Sequence, residues 1–192
     1  MNADFEAAVA ALRQPGGVII YPTETLYGLG CRATDGEAAL RISNLKGRGS
    51  GGLIVLVDEP PAEMPPLAKA LAERFWPGPL TIVIPNLLGF PEEVCGPNGT
   101  IALRASPHPT VQAIVREVGP ITSTSANLHG QPPIERPSSS PELRKMVDAA
   151  IDEGLLDASP PSTIVDGVTG RVFREGAGAA EVVEEIARAL AT

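Results

Sequence analysis

Two basic residues stand close together where a predicted helix gives way to a glycine-rich loop. Lys46 and Arg48 are separated by one residue, and residues 47–52 contain four glycines. Arginine can bind two oxygens with its planar fork and lysine supplies a compact charge, so this pair is suited to one polyphosphate. Glycines let backbone N–H groups approach the same anion. A solvated surface loop is the alternative, and the segment does not match GxxxxGK[ST], which disfavours an ordinary P-loop NTPase.

A second group of polar side chains directly follows a predicted strand, in the run Ser123-Thr124-Ser125-Ala126-Asn127. Short hydroxyls and an amide can bind a phosphate, a ribose or an adenine edge without adding charge. The alternative is a hydroxyl-capped turn, in which the same side chains bond to nearby backbone groups. Local sequence leaves both interpretations open.

The loop after the first predicted strand holds a third polar group, Thr23, Glu24, Thr25 and Tyr27. In α/β proteins ligands commonly bind at strand ends, and these hydroxyls could hold a small amino acid. Arg104, at the end of another apolar strand, suits a carboxylate by bidentate pairing. A structural salt bridge to one of the 23 acidic residues is the alternative for Arg104.

The histidines and cysteines do not form a recognisable catalytic or metal-binding pattern. His108 and His129 are far apart in sequence and lack an obvious partner, so neither is predicted to be a metal ligand or general base. Cys31 and Cys95 lie in no CxxC or Cys/His spacing and are predicted to be reduced thiols. We therefore expect no metal site built by the protein.

Length and charge limit the class of protein. A chain of 192 residues with 43% hydrophobic residues is predicted to form one domain, residues 1–192. The net charge of −8 argues against nucleic-acid capture by a global positive field, and an aromatic content of 4% disfavours base stacking on a sheet. The acidic N-terminus and the lack of a long apolar run predict a cytoplasmic protein.

Apolar periodicity and Gly/Pro breakers predict helices at residues 5–12, 35–46, 67–75, 108–118, 141–153 and 179–190, and strands at residues 18–21, 53–57, 80–84, 101–104, 121–124, 162–166 and 171–174. Asp35 is the predicted cap of the second helix. Residues 23–30 are predicted to be a loop, since they contain glycines and follow Pro22. Residues 131–141 are either a mobile loop or an ordered irregular crossing. Helices and strands intermingle without a strict βαβ rhythm, which favours a twisted, mixed α/β sheet.

In their order along the chain, the motifs resemble the YrdC/Sua5 family from the first predicted strand to near the C-terminus. The matching stretches are Tyr21-Pro22-Thr23-Glu24-Thr25 with Tyr27-Gly28-Leu29-Gly30, Lys46-Gly47-Arg48, Trp76-Pro77-Gly78-Pro79-Leu80-Thr81, Ile101-Ala102-Leu103-Arg104 with His108-Pro109, Ser123-Thr124-Ser125-Ala126-Asn127 with Gly130, Pro161-Ser162-Thr163, and Arg174-Glu175-Gly176. The chain ends soon after these motifs, so it resembles the short, single-domain TsaC type rather than the longer Sua5 type.

The resemblance implies a single-domain YrdC-like fold, with helices around a twisted mixed sheet and a deep concave cleft. It also implies a synthase that makes threonylcarbamoyl-AMP and pyrophosphate from L-threonine, bicarbonate and ATP, for modification of adenosine 37 in tRNA. Mg²⁺ would accompany ATP. Partner proteins of the TsaD/TsaB/TsaE type would receive the product. Direct tRNA binding has no support from the charge of the chain.

Matching positions imply the roles of individual residues. Lys46 and Arg48 would be catalytic and would bind the phosphates of ATP. Ser125, Asn127 and Arg174 would complete the nucleotide site. The implied threonine site consists of Thr23, Tyr27, Arg104 and Ser123.

The chain departs from the family pattern at two places. Family members usually have a proline after the arginine of the KxR motif and a longer loop, where this chain has Gly49-Ser50-Gly51-Gly52. Many also have a histidine where this chain has Leu56. One alternative function is therefore a non-catalytic relative that binds a nucleotide or RNA. Carbamoyl transfer, the role of a related domain in hydrogenase maturation proteins, is disfavoured because two cysteines cannot build the zinc fingers found there.

Overall fold

The computed structural model describes residues 3–47, 49, 52–157 and 159–191. Arg48, a predicted phosphate ligand, lies outside the described residues. The α-helices in this part of the chain are α1 (Ala3–Arg13), α2 (Gly36–Leu45), α3 (Pro66–Phe75), α4 (Pro109–Val118), α5 (Pro141–Lys145) and α6 (Ala179–Leu190). None of these helices is both long enough and apolar enough to cross a membrane.

The strands are β1 (Ile19–Tyr21), β2 (Gly28–Gly30), β3 (Ile54–Leu56), β4 (Leu80–Pro85), β5 (Thr100–Arg104), β6 (Ile121–Ser125), β7 (Ala149–Ala150), β8 (Thr163–Asp166) and β9 (Val172–Arg174). They form one sheet in the order β7-β1-β2-β6-β3-β5-β4-β8-β9. The pairs β1–β7, β3–β5 and β4–β8 are parallel and the other neighbours are antiparallel. The predicted mixed α/β sheet is confirmed.

Both faces of the sheet are covered by helices, although one face is covered only in part. Ile20 belongs to the core that the sheet forms with α2, α3 and α6, whereas Ile19 and Tyr21 pack with α1 and α4 on the opposite face. This alternation explains why the whole of β1 is apolar. Asp35 caps α2 as predicted, because its Oδ1 accepts a hydrogen bond from the Ala38 N–H at 2.9 Å.

Strand β2 corrects the prediction of a loop at residues 23–30. It pairs with β1 on one side and with β6 on the other, near the middle of the sheet. A Cβ on Gly30 would lie 2.0 Å from the backbone oxygen of Thr122, so glycine is needed here for a close approach of backbones. The glycine that suggested a loop is therefore a packing requirement of a strand.

The helix predicted at residues 141–153 is shorter than expected. Helix α5 ends at Lys145, and β7 then runs parallel to β1. The N–H groups of Asp148 and Ile151 donate to the carbonyls of Val18 and Ile20, at 2.8 and 2.9 Å. Pairing at the sheet edge thus satisfies the backbone in place of further helical turns. Within residues 131–141, the Ile134 N–H donates to the Ala126 carbonyl at 2.9 Å, which favours the ordered crossing.

Strand β6 changes character along its length. Side chains at alternate positions share one face of a strand, so Ile121, Ser123 and Ser125 point the same way. Ile121 lies in the core under α1 and α4, whereas Ser123 and Ser125 line an open pocket. The partly covered face of the sheet is thus apolar beneath the helices and polar beyond them.

Candidate functional site

A pocket of about 350 Å³ lies over the polar part of the sheet. Its polar lining comes from the loop after β1, from β5, β6 and β9, and from the residue before β8: Thr23, Thr25, Arg104, Ser123, Thr124, Ser125, Ser162 and Arg174. Five residues predicted from four separate motifs therefore surround one cavity: Thr23, Arg104, Ser123, Ser125 and Arg174. No carboxylate is among its described lining residues.

Arg104 is held in place beneath the pocket. Its side chain is 7% exposed, its Nε donates to the Gly78 carbonyl at 3.2 Å, and its Nη2 forms an ion pair with Glu24 Oε1. The other oxygen of Glu24 accepts a hydrogen bond from Ser106 Oγ at 2.6 Å. Burial, with a smaller effect of the nearby Arg174, lowers the pKa of Arg104 to about 10 against an opposing effect of Tyr21. The guanidinium is therefore cationic at neutral pH. Arg104 forms a structural salt bridge and also lines the pocket, so the two interpretations of this residue are compatible.

Arg174 brings a second guanidinium to the pocket from β9. Its Nε and Nη2 donate to the Ser162 carbonyl at 3.0 and 2.8 Å, and Nη2 also donates to Ser162 Oγ at 3.1 Å. Burial lowers the pKa of Arg174. Within the described part of the chain, no hydrogen bond is made by its Nη1. The guanidinium of Arg104 is paired with Glu24, whereas Arg174 forms no ion pair within the described residues, so Arg174 makes the pocket suited to anions.

Lys46 contacts the last residue of β6 and the segment that follows it. The residue is 8% exposed, and its ammonium donates to the carbonyls of Ser125 and Asn127 at 2.8 and 3.2 Å. It also reaches Ser125 Oγ at 3.2 Å and Asn127 Oδ1. Two motifs predicted separately, around Lys46 and around Ser125, are therefore one structural unit.

His129 belongs to the same unit, although no role was predicted for it from the sequence. Its Nδ1 lies 2.7 Å from the Lys46 carbonyl, and its ring lies against Gly47. The two residues that make this hydrogen bond are 83 positions apart in the chain, so no local pattern could have indicated the contact. His108 likewise has a partner, because its Nδ1 accepts from the Thr110 N–H and caps α4.

Thr23 and Tyr27 use their hydroxyls inside the protein. The Thr23 hydroxyl donates to the Leu26 carbonyl at 2.7 Å and accepts from the N–H groups of Thr25 and Leu26. The fully buried Tyr27 donates to the Gly154 carbonyl at 2.7 Å and accepts from the Glu153 N–H at 3.0 Å. Thr23 lines the pocket, whereas Tyr27 is not among its lining residues. Threonine binding by either residue stays a prediction.

A larger depression of about 770 Å³ lies on the other side of Gly52, among residues 86–99. None of the predicted site residues is among its described lining residues, so the smaller pocket is the candidate site. Within the described residues, no group of three or more His, Cys, Asp or Glu side chains could hold a metal ion.

Comparison with known proteins identifies the family of this chain. The Sua5/YciO/YrdC family model, described as Telomere recombination, matches residues 11–176. A threonylcarbamoyl-AMP synthase of Xanthomonas campestris pv. campestris (strain B100) is 37% identical over 185 residues, covering 90% of this chain and 97% of that protein.

Two solved structures are similar in fold. P. abyssi Sua5 complexed with L-threonine has a TM-score of 0.82 at 30% identity, and the match covers 95% of this chain but only 56% of Sua5. E. coli YciO has a TM-score of 0.80 at 28% identity, covering 93% of this chain and 92% of YciO. This chain therefore spans little more than half of the Sua5 protein.

Proposed function

Because this chain belongs to the Sua5/YciO/YrdC family, we propose that it is an L-threonylcarbamoyladenylate synthase. In this reaction L-threonine, bicarbonate and ATP give threonylcarbamoyl-AMP and pyrophosphate, which makes the enzyme a nucleotidyltransferase. The observation that best supports the proposal is the pocket itself, where two guanidiniums and the serines of β6 meet and no carboxylate lines the described wall.

The reaction needs two bond-forming steps. The amine of threonine attacks the carbon of CO₂ derived from bicarbonate, loses a proton and becomes a carbamate. A carbamate oxygen then attacks the α-phosphorus of ATP, and the bond from that phosphorus to the bridging oxygen breaks as pyrophosphate leaves with the electron pair. Both reactants are anions, so the protein must supply positioning and cations rather than a nucleophile.

The proposed roles follow the position of each side chain around the pocket. Arg104 and Ser123 would bind threonine, with the guanidinium of Arg104 on its carboxylate. Arg174 would reach the phosphates through Nη1. Thr23 would shape the edge of the threonine site by holding the turn at residues 23–26. The buried Tyr27 would not contact threonine but would support the site by holding residues 153–154 through its hydroxyl.

The remaining nucleotide contacts come from the unit around Lys46. Ser125 and Asn127 would bind the nucleotide, while Lys46 and Arg48 would neutralise the triphosphate. The pocket offers neutral oxygen ligands for a metal ion, such as the hydroxyls of Ser123 and Ser162. These ligands fit a Mg²⁺ ion that is held mainly by the phosphates of ATP, where it would neutralise charge on the departing pyrophosphate.

The wider setting is part of the same proposal. Strands from both halves of the chain lie in one sheet, which supports a single domain over residues 1–192. We place the enzyme in the cytoplasm, with its product passed to transfer proteins of the TsaD/TsaB/TsaE type. The net charge of −8 favours delivery through such proteins over capture of tRNA by this chain alone.

Pyrophosphate release tests the proposal. The purified protein is incubated with ATP, Mg²⁺ and bicarbonate, and with L-threonine, L-serine or no amino acid. We expect threonine-dependent release, and we expect Arg174→Gln to reduce kcat/KM by about tenfold or more, since a hydrogen bond to a charged group contributes about 1.5–3 kcal/mol. Arg171→Gln is the matched control, because Arg171 is exposed and stacks on Phe173.

The result also separates the two candidate functions. A folded protein that binds ATP but releases no pyrophosphate under any condition would instead be a non-catalytic nucleotide-binding relative. Equal losses in Arg174→Gln and Arg171→Gln would remove Arg174 from the proposed site.

A further inference from the structure

We propose that His129 is a positioning residue for Lys46 and Gly47, the start of the proposed phosphate-binding motif Lys46-Gly47-Arg48. The inference rests on the proposed function, because it assumes that ATP binds there. A carbonyl oxygen can only accept a hydrogen bond, so the contact of 2.7 Å requires a proton on His129 Nδ1, donated to the Lys46 carbonyl. The imidazole thus fixes the backbone at the end of α2.

The ring of His129 also restricts the next residue. Gly47 has φ of +57°, a conformation that disfavours every residue with a side chain. A Cβ at this position would lie 2.7 Å from His129 Cγ, so the imidazole occupies the space beside the backbone. The hydrogen bond and the ring contact together hold residues 46–47 from one side.

The restraint is reciprocal. The Lys46 ammonium donates to the carbonyls of Ser125 and Asn127, while His129, two residues further along, donates to the Lys46 carbonyl. Each segment therefore holds the backbone of the other through a side chain. Both segments contain proposed nucleotide ligands, and Arg48 follows directly in sequence. A segment ordered before the ligand arrives loses less conformational entropy on binding, which strengthens binding.

Three substitutions separate the two contacts of the imidazole. His129→Ala removes both the ring and the donor, and His129→Phe keeps a flat ring but removes the donor. His129→Asn keeps an N–H donor at nearly the position of Nδ1. His108→Asn is the control, since His108 caps α4 and lies outside the proposed site.

The measurements are calorimetric titrations of ATP with Mg²⁺ and, separately, of L-threonine into the full chain, with melting curves to verify folding. We expect the Kd for ATP to rise about tenfold in the Ala and Phe variants and less than threefold in the Asn variant. The Kd for threonine should change less than twofold throughout, and His108→Asn should match the wild type. If the Ala variant does not fold, the Phe and Asn variants decide the question.

The outcomes distinguish this inference from the proposed function. Wild-type protein that binds no ATP would overturn both. Wild-type ATP binding that is unchanged in the Ala or Phe variants would overturn only the role of His129. An equal loss of ATP and threonine affinity would show a general structural effect and would also refute the positioning role.

Discussion

Replacing Lys46 by methionine should destabilise the protein substantially, although lysine is usually a surface residue. The ammonium donates to two backbone carbonyls, of Ser125 and Asn127, and the residue is only 8% exposed. Each buried acceptor that is left unsatisfied costs about 1–3 kcal/mol, which gives about 2–6 kcal/mol for the pair. Relief from the desolvation of a buried ammonium offsets part of this, so we expect a net loss of about 2–4 kcal/mol.

The assay is thermal and urea unfolding of the whole chain. In a protein of this size 1 kcal/mol corresponds to a shift of about 2–4 °C in Tm, so Lys46→Met should lower Tm by about 4–16 °C. Lys69→Met is the matched control, because Lys69 is exposed on α3 and its replacement should change the free energy of unfolding by less than about 0.5 kcal/mol. If the two variants melt together, the hydrogen bonds of Lys46 do not stabilise the fold and the reasoning is wrong.

Two further substitutions test the fold around the site. Burial lowers the pKa of His108, against an opposing effect of Glu153, so the unfolded chain takes up this proton at a higher pH than the folded protein. The free energy of unfolding should therefore fall as pH drops below about 6.5. His108→Asn keeps an acceptor for the helix cap and should remove this part of the pH dependence, as measured by urea titrations. Identical pH profiles of the variant and the wild type would contradict this. Gly30→Ala should lower the free energy of unfolding by about 1–3 kcal/mol, because the new methyl would clash with the Thr122 backbone oxygen. An unchanged urea midpoint would show that β2 and β6 can move apart at this point without loss of stability.

Elements with a clear apolar period were predictable from the sequence. Helix α6 occupies the predicted residues 179–190, and α1 extends the predicted 5–12 by two residues at its start and one at its end. Strand β2 and the short α5 were not predictable, because both depend on partners distant in sequence. β2 lies between β1 and β6, and residues after α5 join the edge of the sheet beside β1. Local preference gave way there to pairing between distant segments.

The candidate site shows the same division. The types of side chain that surround the pocket were predictable, since hydroxyls and cations followed several predicted strands. The hydrogen bonds that saturate Thr23 and Tyr27, and the contact of His129 with Lys46, were not, because they depend on where the chain returns in space. Sequence indicates which residues are suited to a ligand, whereas the fold decides which of them still have a free donor.

The position of β6 in the sheet has a consequence for the nascent chain. Strands β2 and β3 leave the ribosome early, yet the strand that lies between them in the sheet is β6, residues Ile121–Ser125. Until that segment emerges, the facing edges of β2 and β3 have no partner for their backbone groups, which exposes them to pairing with other chains. The same late segment supplies two serines of the pocket. The two parts of the sheet therefore cannot join before residues 121–125 emerge, and the pocket is complete only after Ser162 and Arg174 have followed. A chain that stops before residue 121 can complete neither.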